Sequence, residues 1–279
     1  MAIKKSSVLI LAVCSYVKTT RGESQQYPAS ARRIAQCLPR QYAELLFEGR
    51  RRILDLIASG RASRQGKPLR EFPSFNADLV EGPDFRLTGS IGGGRYLPAA
   101  QRCRGRFYER LGADGRALLR NTRHHVLIMS ALYGLVTPAE PIQIYDCHAT
   151  DQVADDGDMR QCWTEDDLFT RVLEAYVRKF GITKIFDFIT SEPYRDLISW
   201  EMLRNATGGG VLHPVSKHYA GDAMLPSLAL AAKHYLSRPE CDLLRVQPRE
   251  LVTVPAYADE LLFLSGRPGP DIQILFQDA

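Results

Sequence analysis

A cysteine and a lysine stand four residues apart where the first apolar run of the chain ends. Residues 7–14, SVLILAVC, have the length and composition of a buried strand, which ends at Cys14 and is followed by Ser15 and Lys18. A thiol near a lysine can be poised as a thiolate, and a lysine removed from water can act as a nucleophile. Two interpretations stay open: Cys14 is reactive or simply buried, and Lys18 is catalytic or simply solvated.

Two carboxylates follow later apolar runs. Glu192 comes after residues 182–190, ITKIFDFIT, and Asp146 ends the segment 126–146, VLIMSALYGLVTPAEPIQIYD. Glycosidic chemistry ordinarily uses a pair of carboxylates, as general acid and as base or nucleophile toward the ribosyl carbon. We therefore predict Lys18, Glu192 and Asp146 as the catalytic residues.

The segment 126–146 reads as a buried strand that runs into a polar turn and a proline-stiffened loop. Such a loop can hold side chains still over a pocket; the alternative is an ordinary strand, turn and loop. Its Tyr133, like Tyr194 after the third apolar run, can stack on a base, a contact worth about 1–3 kcal/mol per base. The alternative for both tyrosines is packing in the core.

Apolar runs that end near residues 14, 130 and 190 alternate with helical patterns. This alternation predicts an α/β fold with a mostly parallel sheet and crossover helices. Ligands bind beyond the carboxyl ends of the strands in such sheets, so we expect one pocket there. The predicted substrate-binding residues are Cys14, Ser15, Tyr27, Ser30, Ser130, Tyr133, Gly134, Tyr145, Ser191 and Tyr194.

Composition sets the class of protein. The chain has 279 residues, 45% of them hydrophobic and 24% charged, which is ordinary for a globular protein, and this length allows one large α/β domain or two small ones. No apolar run approaches the ~20 residues of a membrane span, and the first residues read as a strand, not as a signal peptide. Six cysteines without a CxxC pair indicate a reducing, cytoplasmic setting. The sequence gives no sign of a metal or a required cofactor.

The net charge of +4 is mild, but basic residues crowd the first half of the chain. Residues 50–122 are basic and partly helical. A run of arginines is either a solvated helix face or a phosphate-contacting surface. On the second interpretation the predicted nucleic-acid contacts are Arg50, Arg51, Arg52, Arg102 and Arg106.

The phrase SALYGLVTPAEPIQIYD, residues 130–146, resembles the S-[AG]-x-[YH]-G-L…P…I…Y phrase of the YaaA family of bacterial peroxide-stress proteins and its shorter relatives. The pattern of Cys14 and Lys18, with Tyr27 and Ser30 downstream, resembles the start of those shorter relatives. It is also similar to the C-x-x-x-K-P-Y-x-x-S phrase of the archaeosine synthase core domain, although eight residues separate Lys18 from Tyr27 and no proline follows the lysine.

The resemblance implies a single α/β domain over residues 1–279 with a basic cleft. Residues 50–122 have no counterpart in the resembled families, and we predict a basic, partly helical insertion there. The peroxide-stress proteins are associated with DNA binding and with protection from oxidative damage, and the archaeosine-type core with modification of a deazaguanine base. Two functions follow as hypotheses. One is an enzyme that cleaves or exchanges a glycosidic bond, or modifies a base, in a nucleotide or nucleic acid, with DNA favoured over RNA as partner. The other is a non-catalytic DNA-binding protein of the oxidative-stress response, and neither hypothesis involves a membrane.

Overall fold

The computed structural model describes residues 6–28, 31, 33–72, 75–87, 93–154, 157–254 and 259–266. Predicted ligand contact Ser30 lies outside them. The strands are β1 Val8–Val13, β2 Ala62–Arg64, β3 Lys67–Pro68, β4 Tyr96–Pro98, β5 His125–Ser130, β6 Gly134–Val136, β7 Pro141–Gln143, β8 Gln152–Val153, β9 Gly157–Asp158, β10 Lys184–Asp187, β11 Val211–Ser216, β12 Leu251–Val254 and β13 Asp259–Leu264.

Nine α-helices lie in the described residues, together with 3₁₀ turns at Ile34–Cys37, Leu69–Glu71, Glu165–Asp167 and Gly221–Met224. Helix α3 is kinked at Gly112 (φ 67°). The helices are α1 Arg40–Ala58, α2 Ala99–Arg102, α3 Arg106–Asn121, α4 Gln161–Thr164, α5 Leu168–Phe180, α6 Glu192–Arg195, α7 Trp200–Thr207, α8 Leu225–Ser237 and α9 Glu240–Arg245. None of them, within the described part of the chain, has the length and apolar character that a membrane span requires.

Seven strands form the central sheet in the order β12-β13-β11-β10-β1-β5-β6. The four inner strands β11, β10, β1 and β5 are parallel, and antiparallel strands flank them on both sides. The inner strands are buried along almost their whole length, as expected for strands covered on both faces. The predicted mixed α/β fold with a mostly parallel central sheet is therefore confirmed.

Helix pairs pack around this sheet, α3 against α8 and α1 against α5. Two small antiparallel sheets complete the fold, β3-β2-β8-β9 and β4-β7. The single domain over 1–279 and the insertion at about 50–122 stay predictions. The segment after β5 differs from the loop that we expected, because Gly134 turns the chain back and β6 pairs with β5 as a hairpin.

Candidate functional site

A cavity of about 430 Å³ opens at the carboxyl end of the parallel strands. Its floor comes from the end of β1 and from the residues after β10, and its walls come from the start of α3, the segment after β7 and the start of α8. This is the position where open α/β sheets bind ligands. It is lined by Val13, Cys14, Ser15, Tyr16, Val17, Gly105, Arg106, Phe107, Tyr108, Cys147, His148, Ser191, Tyr194, Asp222 and Leu225.

Four predicted ligand contacts lie in this cavity: Cys14, Ser15, Ser191 and Tyr194. The Cys14 Sγ lies 3.7 Å from the Tyr194 Oη. Burial raises the pKa of Tyr194 well above its ordinary value, so the phenol keeps its proton. These four side chains, which follow the ends of two different strands, therefore line one cavity.

The amino end of α3 is held against the end of β1. The Ser15 Oγ accepts a hydrogen bond from the Arg104 backbone N–H at 2.8 Å, and it donates one to the Val17 carbonyl at 2.5 Å. Gly105 is required there, because a Cβ at this position would lie 2.8 Å from the Ser15 Cβ. No side chain caps α3, and the first N–H groups of a helix have no acceptor inside the helix. These groups and the Arg106 side chain make this wall suitable for an anion.

Aromatic rings and two titratable groups complete the cavity. Tyr16 is 66% exposed at its mouth, and the rings of His148 and Tyr194 meet edge to face at 5.5 Å. Burial lowers the pKa of His148, so its imidazole is neutral and can accept a proton at pH 7. Asp222 accepts a hydrogen bond from the Thr190 hydroxyl at 3.0 Å. His148 and Asp222 were not among the predicted site residues. The sequence does contain a signal for them, because each is a polar residue in a segment that follows a strand.

The three predicted catalytic residues lie outside the cavity lining formed by the described residues. The Lys18 ammonium donates to the Ser15 carbonyl at 2.5 Å and sits 4.1 Å from the centre of the Tyr145 ring. Asp146 forms an ion pair with Arg64 at 2.9 Å. Glu192 is exposed at the start of α6. Each is the chain neighbour of a lining residue, Val17, Ser191 or Cys147, and their catalytic roles stay predictions.

The residues of the 130–146 phrase mostly hold the fold together. Ser130 and Tyr145 share a hydrogen bond of 2.7 Å between their hydroxyls, and both are buried. A Cβ on Gly134 would meet the Trp163 ring at 2.6 Å. Ser130, Tyr133, Gly134 and Tyr145 are buried and are not among the residues that line the cavity, so their contact with a ligand stays a prediction.

A buried polar cluster surrounds Tyr133. Its hydroxyl donates to the Asp84 Oδ2 at 2.7 Å, and the Gln143 Nε2 donates to the same oxygen at 3.0 Å. Burial raises the pKa of Asp84 to about 6, although these two hydrogen bonds lower it part of the way back. Tyr27, another predicted ligand contact, packs edge to face on Tyr96 beside this cluster, outside the cavity.

Two of the predicted nucleic-acid contacts are structural. The Arg50 guanidinium is fully buried, forms an ion pair with Glu140 at 3.0 Å and donates to the carbonyls of residues 84, 133 and 135. Arg102 is also fully buried and forms an ion pair with Glu23 at 2.5 Å. The structure corrects both assignments, because these side chains have no access to a phosphate. Arg52 and Arg106 are exposed and Arg51 is half-buried, so their contacts with nucleic acid stay predictions.

Residues 74–235 match the family model described as Peroxide stress protein YaaA. The chain belongs to the YaaA peroxide-stress family. The match covers more than half of the chain. It includes all the residues that line the cavity except those from Val13 to Val17. A search of the curated proteins found no match. The resemblance that we stated from the 130–146 phrase is thereby confirmed, and the association of this YaaA-family chain with oxidative stress rests on the same match.

The part of the chain that the structure describes contains no group of three or more His, Cys, Asp or Glu side chains arranged to hold a metal ion. The cavity combines a cationic wall, aromatic rings, one imidazole and one carboxylate. Such a site is suited to a planar ligand that carries a negative charge.

Proposed function

We propose that this YaaA-family protein binds a nucleotide, either free or within DNA, in the strand-end cavity and acts on its base or its glycosidic bond. One observation carries the proposal: Arg106 and the uncapped start of α3 face the same cavity as the rings of Tyr16, Phe107 and Tyr194. A phosphate would lie against the start of α3, where backbone N–H groups and the helix dipole favour an anion. The base would lie against the aromatic rings.

The volume of the cavity supports a ligand of this size. Small-molecule pockets are usually about 300–1,000 Å³ and combine apolar walls with a few polar groups. The cavity of about 430 Å³ accommodates one nucleotide and not a duplex. A base from DNA would therefore have to leave the stack, as bases do in other enzymes that act on them.

Two lining residues carry the proposed chemistry. His148 is neutral at pH 7 and can accept a proton, and the Asp222 carboxylate can stabilise developing positive charge on a ribosyl carbon. The hydroxyl of Tyr194 keeps its proton and can donate a hydrogen bond to a base. Lys18, Glu192 and Asp146 stay candidates for the same reaction, because each directly neighbours a lining residue in the chain.

A second function is favoured by the surface of α3. Arg104 precedes this helix, and Arg106, Arg110 and Arg120 lie along it, all of them exposed. A row of exposed cations is the signature of salt-dependent binding to a phosphate backbone. A non-catalytic DNA-binding protein of the oxidative-stress response would use this surface and leave the cavity empty.

Two variants distinguish the two functions. Arg106→Ala and Arg120→Ala each remove one exposed charge, from opposite ends of α3. We would measure binding to mononucleotides and to single- and double-stranded DNA at two salt concentrations, and analyse the products by mass spectrometry. A cavity site predicts that Arg106→Ala weakens mononucleotide binding about tenfold while Arg120→Ala leaves it unchanged. Equal losses of DNA binding in both variants, with no mononucleotide binding and no new product, would establish the second function.

A further inference from the structure

Two thiols line the same cavity although they lie far apart in sequence. Cys14 follows β1 and is half-buried, and Cys147 lies in the segment after β7 and is 6% exposed. All six cysteines are among the described residues, and none of them forms a disulfide. Cys14 is the less buried of the two, so a small polar oxidant in the cavity meets Cys14 first.

Tyr194 contacts both segments that carry the thiols. Its hydroxyl lies 3.7 Å from the Cys14 Sγ. Its ring meets the ring of His148, the residue after Cys147, edge to face at 5.5 Å. Because this phenol keeps its proton, it can donate a hydrogen bond to a thiolate. That hydrogen bond stabilises the form of cysteine that reacts with peroxides.

The two thiols have different surroundings. Burial raises the pKa of Cys147 well above its ordinary value, and the neighbouring Asp151 carboxylate adds to the effect. Cys147 therefore stays a thiol at neutral pH. Cys14 is less buried, and its sulfur lies within hydrogen-bond distance of the Tyr194 hydroxyl. Cys14 is thus positioned to react first and Cys147 to react second.

We propose that Cys14 and Cys147 form a thiol pair that hydrogen peroxide oxidises to a disulfide across the cavity. The Cys14 sulfur loses its proton and attacks one oxygen of the peroxide. An S–O bond forms, the O–O bond breaks, and the second oxygen leaves as water with the proton. The Cys147 sulfur then attacks the Cys14 sulfenic acid, an S–S bond forms, and the hydroxyl leaves as a second water with the Cys147 proton. Two electrons pass from the thiols to one peroxide.

This modification does not depend on the proposed nucleotide chemistry, because it needs only the two thiols and the oxidant. The disulfide would join the floor of the cavity to one wall and occupy part of the space for a ligand. In this YaaA-family protein, oxidation by hydrogen peroxide would thereby reduce the space for a ligand in the cavity.

The test treats the full-length protein and the Cys14→Ser, Cys147→Ser and Cys241→Ser variants with a small molar excess of hydrogen peroxide. Peptide mapping without reduction follows disulfides, and dimedone traps sulfenic acid. We expect a peptide that joins Cys14 to Cys147 in the wild type and in Cys241→Ser. In Cys147→Ser we expect a dimedone adduct on Cys14, several-fold more abundant than in the wild type, because no second thiol consumes the sulfenic acid.

Tyr194→Phe tests the hydrogen bond to the sulfur. Its loss should slow the oxidation of Cys14 about fivefold, which corresponds to one ordinary hydrogen bond. The proposal is overturned if Cys14 stays reduced while the exposed Cys241 is oxidised. It is equally overturned if the Cys14 adduct is as abundant in the wild type as in Cys147→Ser. Circular dichroism of each variant before oxidation identifies a failure to fold.

Discussion

Asp84 shows how one buried side chain makes stability depend on pH. It is fully buried and has hydrogen-bond donors on both oxygens, from Tyr133, Gln143 and Tyr96. Desolvation outweighs those hydrogen bonds and raises its pKa to about 6. A carboxyl group whose pKa is higher in the folded than in the unfolded protein binds more protons when folded. Its contribution to stability is therefore fully present below about pH 4 and is lost as the pH rises through 6.

We predict that Asp84→Asn removes this pH dependence. Between pH 3 and pH 7 the free energy of unfolding of the wild type should fall by about 3 kcal/mol relative to that of the variant, at 1.36 kcal/mol for each unit of pKa difference. Urea unfolding at several pH values measures it. The matched control Asp114→Asn, exposed on α3, should follow the wild type at every pH. Parallel curves for wild type and Asp84→Asn would show that Asp84 does not titrate in this range.

A second prediction concerns two glycines with the same backbone conformation. Gly134 and Gly181 have φ of 64° and 61°, but a Cβ would meet the Trp163 ring only at Gly134 and has open space at Gly181. Gly181→Ala should cost about 1 kcal/mol of backbone strain. Gly134→Ala should cost about 1–3 kcal/mol more, because the tightly packed ring must move. Equal losses in the free energy of unfolding would contradict the packing role of Gly134.

Some single-residue roles could be predicted from sequence and others could not. Gly181 directly follows an amphipathic helical pattern in the sequence, which is a signal for a helix end, and it ends α5. A threonine before such a pattern is a signal for a helix cap, but Thr164 ends α4, and a separate 3₁₀ turn precedes α5. The burial of Arg50 was not visible either, because its partner Glu140 is distant in sequence and only the fold brings them together.

At the scale of elements, the segment that carries Cys147 and His148 is held by one arginine. Arg64 on β2 forms ion pairs with Asp151 at 2.6 Å and with Asp146 at 2.9 Å. The His148 backbone N–H in turn donates to Asp151 at 2.6 Å. Asp151 is 3% exposed, so it depends on Arg64 to balance its charge. Arg64 thereby fixes one wall of the cavity.

We predict that Arg64→Ala loosens this wall. Leaving Asp151 buried without its partner should lower the free energy of unfolding by about 3 kcal/mol. Cys147, which is nearly inaccessible in the folded protein, should become open to alkylation at a rate at least several-fold higher. Arg171→Ala, an exposed arginine on α5, is the control and should change neither quantity. A Cys147 alkylation rate unchanged in Arg64→Ala would show that the wall does not depend on this ion pair.

At the scale of the molecule, the sheet was easier to predict than the site. Apolar runs of strand length, alternating with helical patterns, were sufficient for the parallel strands β1, β5 and β10. The sequence also predicted that Cys14, Ser15, Ser191 and Tyr194 lie close together, because all four follow strand ends. It did not identify Arg106 as part of a cavity wall, since that depends on where the start of α3 packs against Ser15. Packing of this kind depends on side-chain volumes, and the residues next to Arg106 in the sequence do not indicate it.

The most direct test of the cavity uses Cys14 as a reporter of occupancy. We would measure the rate of Cys14 alkylation in the reduced protein, with and without saturating mononucleotide or single-stranded DNA, and compare it with the rate at the exposed Cys241. If a nucleotide fills the strand-end cavity, it should slow alkylation of Cys14 at least tenfold and leave Cys241 unchanged. If DNA binds while Cys14 reacts at its original rate, the ligand lies elsewhere, and the cavity is not the nucleotide site.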